Sequence, residues 1–109
     1  MELNGYRIMW LFVFFDLPTE TKKDRRNASL FRKNLLKDGF TMMQYSVYNR
    51  HCASGESADA HELKIKRLLP PLGKVSILRV TDKQFGKIMN FWGKSTIPKE
   101  PPPMQLELF

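Results

Sequence analysis

Asp16 closes the run Trp10-Leu11-Phe12-Val13-Phe14-Phe15, and it is the residue best placed to do chemistry. A strand without polar alternation reads as buried on both faces, so an acid at its last position stands at the rim of the core. At that rim it is open to a metal ion or a phosphate. The competing reading is a carboxylate that only begins a turn or caps the next helix. A second constellation is cationic. At about 100° per residue along a helix, Lys22, Arg26, Ser29, Lys33 and Lys37 share the side opposite Asp24, Ala28, Phe31 and Leu35. Arg25 and Arg32 lie between, on the flank with Leu36. Such a stripe can follow a phosphate backbone, or be a solvated face and nothing more.

Other chemistry is thin. His51-Cys52 and His61 show neither CxxC nor HxxxH spacing, which argues against zinc. Ser46 or Ser76 as a nucleophile would need a base and an oxyanion pocket that no motif marks. Gly73 and Gly93 are isolated and form no phosphate loop. Tyr6, Trp10, Phe12 and Phe14 read as core rather than as a platform for stacking bases.

The elements that must position these residues alternate in type. Leu17-Pro18 ends the first strand, because proline fixes φ and has no N–H for a ladder. Thr19-Glu20-Thr21 offers helix caps, and a helix runs from Lys22 to Lys37 until Gly39 stops it. Phe40 to Gln44 and Ser46 to Cys52 read as two antiparallel strands, followed by a loop from Ala53 to Ser57. Asp59 and Glu62 look like a capping box for a second helix that turns Ile65, Leu68 and Leu69 inward and stops at Pro70-Pro71. Gly73 opens a strand from Val75 to Val80, Asp82 to Ile88 reads as a short helical turn, and Met89 to Trp92 as an edge strand. The order predicts an α+β, ferredoxin-like βαββαβ domain over residues 1–96 with an antiparallel sheet. A proline-rich, extended interaction tail occupies 97–109.

Composition bounds the partners. The 109 residues carry 18 Lys+Arg against 11 Asp+Glu, a net charge of +7, which suits a polyanion such as nucleic acid. One cysteine excludes an intramolecular disulfide, and the amino terminus does not read as a signal peptide. The longest apolar run, Ile8 to Phe15, is too short to span a bilayer, so the expected location is cytoplasmic with no membrane partner.

The residues then reach a resemblance. Phe14-Phe15-Asp16-Leu17-Pro18, Phe31-Arg32-Lys33, Leu35-Leu36, Gly39-Phe40 and Gln44-Tyr45-Ser46-Val47-Tyr48 occur in the order of the small CRISPR-associated adaptation protein family, CRISPR-associated protein two. Lys66 to Pro71, Gly73-Lys74-Val75 and Thr81 to Phe85 continue it, and the form found beside type II effectors is most similar. The resemblance implies a homodimer in which the two Asp16 carboxylates face each other and hold one Mg²⁺ for metal-dependent cleavage of RNA or double-stranded DNA. It also implies an architectural role, bridging dimers of the CRISPR-associated integrase while duplex DNA lies across the surface. Phe15 stands where the family often has tyrosine and Met42 where it can have arginine, and both changes remove a polar group near the acid.

The reading favoured on sequence is therefore a DNA-organising subunit of the spacer-acquisition complex, with Lys22, Arg25, Arg26, Arg32, Lys33 and Lys37 on the phosphate backbone. The alternative is a Mg²⁺-dependent endonuclease acting as a free dimer through Asp16. An RNA-binding module lacks its aromatic strand signature. In the tail, Gln105, Leu106, Leu108 and Phe109 alternate as a strand added to a neighbouring sheet would. They also resemble the pentapeptide that binds the replication sliding clamp.

Overall fold

A computed structural model describes residues 8–94. Its elements are β1 (Met9–Asp16), α1 (Lys22–Lys37), β2 (Thr41–Gln44), β3 (Val47–Cys52), α2 (Gly55–Arg67), β4 (Lys74–Thr81) and α3 (Asp82–Phe85). The strands form one sheet in the order β2-β3-β1-β4, every neighbouring pair antiparallel. This is the expected ferredoxin-like α+β arrangement. The segment expected as an edge strand shows a single bridge residue, Trp92. The tail, with Gln105, Leu106, Leu108 and Phe109, lies outside the described residues.

Successive side chains of a strand point to opposite faces, and β1 sorts its run accordingly. Leu11, Val13 and Phe15 turn toward the helices and meet Phe31 and Leu35 of α1 and Ile65 of α2 in the core. Phe15 packs edge-on against Phe31, with ring centroids 5.1 Å apart. Trp10, Phe12, Phe14 and Asp16 point the other way. The α3 region reaches that outer face, where Phe85 stacks on Trp10 at 3.7 Å and Trp10 Nε1 donates to Asp82 Oδ1 at 2.7 Å. Phe12 on that face is buried, at 6%, whereas Phe14 is 38% exposed, so the expectation of a strand buried on both faces holds as far as Phe12 and fails at the Asp16 end.

The first helix forms as its sequence predicts. Thr21 Oγ1 accepts from the Asp24 N–H at 2.9 Å, and Asp24 Oδ2 accepts from the Thr21 N–H at 3.2 Å. This reciprocal cap satisfies two donors that the first turn leaves free. At the other end Gly39 takes φ +89°, a conformation glycine adopts without Cβ cost.

The second helix starts earlier than expected, because Ser54 already caps it, its Oγ accepting from the Ser57 N–H at 3.0 Å. Asp59 and Glu62 are thus interior residues, three apart and on one face, and both hold Arg79 of β4 at 2.7 Å. Those hydrogen bonds, Asp59 first and then Glu62, raise the Arg79 pKa further above its usual value. Leu69, expected inside, is 48% exposed. His61 Nδ1 lies 2.7 Å from Asp38 Oδ2 at the end of α1, a contact that ties α2 to that end. No described helix is long and apolar enough to cross a membrane.

Candidate functional site

Pairing of β1 with β4 sets the site. The register places Phe14 opposite Ser76 and Asp16 opposite Lys74, so both ends carry polar side chains on the outer face of the sheet. On the other flank of β1, Phe14 pairs with Val47, and the Phe15 N–H donates to the Ser46 carbonyl at 3.1 Å. The turn between β2 and β3 is thereby pinned to the end of β1. Ser46 sits at φ 68°, the left-handed region that non-glycine residues rarely enter. The result is an open cleft of about 320 Å³ lined by Asp16, Ser46, Lys74 and Ser76 beside Phe15, with Phe14 and Val47 as its apolar walls.

Gly73 underlies the geometry of the acid. Its φ is +100°, and a Cβ there would lie 2.8 Å from the Asp16 carbonyl oxygen and 2.7 Å from Leu17 Cδ2. Only a residue without a side chain lets the loop before β4 approach the end of β1 so closely. Asp16 and Lys74, though cross-strand neighbours, make no ion pair with each other or with any other described residue. No group of three or more His, Cys, Asp or Glu side chains positioned for a metal occurs among the described residues. Among the described residues, Asp16 is the one carboxylate that lines the cleft.

The six cations singled out on the first helix divide into two sets. Lys22, Arg26, Lys33 and Lys37 are exposed along α1, whose buried side is Ala28, Phe31 and Leu35. Arg25 folds back, its Nη1 donating to the carbonyls of Thr19 at 2.9 Å and Glu20 at 3.1 Å, which ties down the connection after β1. Arg32 lies over the rings of Phe15 at 5.7 Å and Tyr45 at 4.6 Å and donates through Nη2 to the Tyr45 hydroxyl at 2.8 Å. Its buried Nε has no partner. Neither arginine shares the open stripe.

Next to the Asp16 cleft, and sharing Phe14 and Val47 with it, is a second hollow of about 250 Å³. It is walled by Phe12, Met43, Leu78 and Val80 and is mainly apolar. Leu78 is 49% exposed there. Sequence reading finds Asp16 and the α1 stripe but passes over Lys74, Ser46 and Ser76 as members of the acid's cleft. The alternation of β4 puts Lys74 and Ser76 on one face. Only pairing with β1 shows that this face and this end are those of Asp16.

A four-stranded antiparallel sheet backed by two helices, with a lone acid closing its first strand beside an uncovered apolar face, defines a small ferredoxin-like protein of a particular type. The family model described as CRISPR associated protein Cas2 matches residues 9–88, and the chain belongs to that family. Proteins named CRISPR-associated endoribonuclease Cas2 are similar over nearly the whole chain. The one from Flavobacterium psychrophilum is 53% identical over 108 residues, 99% of this chain and 94% of its own. That from Parvibaculum lavamentivorans is 52% identical over 93% of this chain and 100% of its own, and that from Paracidovorax avenae 45% over 98% and 99%.

Proposed function

We propose that this chain is a metal-dependent endonuclease of RNA or duplex DNA that works as a homodimer, with Asp16 as its metal-holding carboxylate. The observation that carries the reading is the isolated acid of the cleft at the end of β1, bordered by an exposed apolar sheet face. The shared name of the relatives, an endoribonuclease, favours this reading over the purely architectural one ranked first on sequence.

Two neighbouring hollows support the dimer. A twofold interface uses the same patch on both copies, and Phe14 and Leu78 are apolar side chains that lose exposed area if the outer faces pack together. Because Phe14 borders both hollows, such packing carries Asp16 to the edge of the interface. Mg²⁺ keeps several waters and is usually held by one or two carboxylates, so a pair of Asp16 side chains fits it and one chain's share is half a site. Bound there, Mg²⁺ would neutralise phosphate charge and acidify water for attack on phosphorus. Asp16 would hold and orient the ion, while Phe14 and Val47 shield one side of the reacting phosphate from bulk water.

Cleavage of labelled RNA and duplex DNA in Mg²⁺ tests this. Asp16→Ala should lower the rate at least about a hundredfold with fold and dimer intact, and Phe14→Glu should give a folded, inactive monomer. An Asp16→Ala protein that cleaves at the wild-type rate overturns the reading.

A second reading has its own support in the exposed stripe Lys22, Arg26, Lys33 and Lys37: a DNA-organising subunit that bridges integrase dimers. Copurification with a CRISPR-associated integrase from the same organism, followed by an integration assay, separates the two. If the role is scaffolding, Asp16→Ala abolishes any cleavage and leaves integration close to wild type.

A further inference from the structure

We propose that Lys74, together with the hydroxyls of Ser46 and Ser76, seats one phosphate of a nucleic-acid strand beside Asp16. This rests on the reading of the Asp16 cleft as the reacting site. The composition of the cleft is the starting point: one carboxylate, one ammonium and two hydroxyls. A dedicated cation site gathers several oxygens of like charge. Here a cation stands directly across the strand pair from the acid and makes no ion pair with it, although adjacent strands are only about 5 Å apart. Separate placement leaves the ammonium open to an anion and the carboxylate open to a cation. A phosphodiester with its counter-ion supplies both charges at once.

The hydroxyls complete the match. Ser76 projects from the same face of β4 as Lys74, two residues along, and Ser46 enters from the opposite wall on the turn pinned by the Phe15 N–H. Ser46 is held in the left-handed conformation, which is costly for a residue with a Cβ and tends to persist where surrounding contacts over-determine it. Ammonium and hydroxyl groups are the donors that non-bridging phosphate oxygens accept from, and none of these three reads a base. Lys74 also opposes a divalent ion in the free protein, so strand and metal enter the cleft as a mutually favourable pair.

Full-length protein tests the seat with two direct readouts, neither of them cleavage. One is the affinity for a short labelled RNA in Ca²⁺, and the other is Mn²⁺ affinity measured without nucleic acid. Lys66→Gln, an exposed lysine of α2, serves as the control for lost charge. Lys74→Gln should weaken RNA binding about tenfold, the scale of one charge-assisted hydrogen bond, against less than about twofold for Lys66→Gln. Ser76→Ala should weaken it by a smaller factor, and Lys74→Gln should tighten Mn²⁺ binding. Equal losses for Lys74→Gln and Lys66→Gln, or unchanged Mn²⁺ affinity in Lys74→Gln, overturn the seat. If Asp16→Ala keeps both cleavage and Mn²⁺ binding, the catalytic reading falls by itself, and the lysine comparison still decides whether a phosphate sits here.

Discussion

Gly73 supports Asp16 from below: a Cβ at Gly73 would come within 2.8 Å of the Asp16 carbonyl oxygen. Real Cβ atoms do not approach backbone so closely, so any side chain there must displace the end of β1. The acid's position therefore depends on the absence of an atom one strand away.

Gly73→Ala should damage the site more than its φ alone explains. Gly93 is the internal control, since it too has positive φ, +71°, but open space where a Cβ would go. Gly93→Ala should cost about 1 kcal/mol of stability from conformational strain, and Gly73→Ala clearly more, with loss of cleavage beyond the loss of folded protein. Thermal melts and initial rates of the two variants make the comparison. Equal effects at both positions would show that the contact with Asp16 does not matter.

The exposed side of α1 makes a prediction about salt. Replacing Arg26 and Lys33 together by Ala should weaken duplex binding alike for all sequences and lower the slope of log affinity against log salt by about two units, near one per lost phosphate contact. Arg25→Ala should change the slope less, because that guanidinium already serves the carbonyls of Thr19 and Glu20. Fluorescence anisotropy over a salt series measures this, and an unchanged slope in the double variant would mark the stripe as a solvated face.

Alkaline pH should weaken the fold from within the core. Burial raises the Cys52 thiol above its ordinary 9.0 and the Tyr48 phenol above its ordinary 10.0, the nearby Arg32 charge opposing the latter only in part. In the unfolded chain both groups ionise at their ordinary values. The unfolded state then binds fewer protons than the folded one, so stability is fully present below about pH 9 and falls as pH rises through the folded values. Urea titrations from pH 8 to about pH 11 should show this decline, and Tyr48→Phe should flatten it above about pH 10.

The candidate site divides between what one strand can show and what two strands must meet to show. Asp16 was legible because its signal is local: an acid ending an apolar run, followed by Leu17-Pro18. Lys74 was not, since its importance lies in register with a residue 58 positions earlier, and register is a property of the assembled sheet. Ser46 read as the first residue of a strand, yet it occupies a left-handed turn held by a hydrogen bond from β1. Helical angle already sets Arg25 and Arg32 on the flank beside the open stripe, but that they are engaged, one by the Thr19 carbonyl and the other by the Tyr45 hydroxyl, depends on contacts outside the helix.

The amino-acid sequence by itself determined the order of strands and helices, the buried side of α1 and the place of an acid at a strand end, because periodicity, caps and prolines act over a few residues. Tertiary structure alone decided which face of β1 stays uncovered, where α2 engages Arg79, and which side chains join Asp16 in its cleft. Those outcomes depend on pairing and packing between segments far apart in the chain, where each strand's alternation is compatible with several partners until the core selects one.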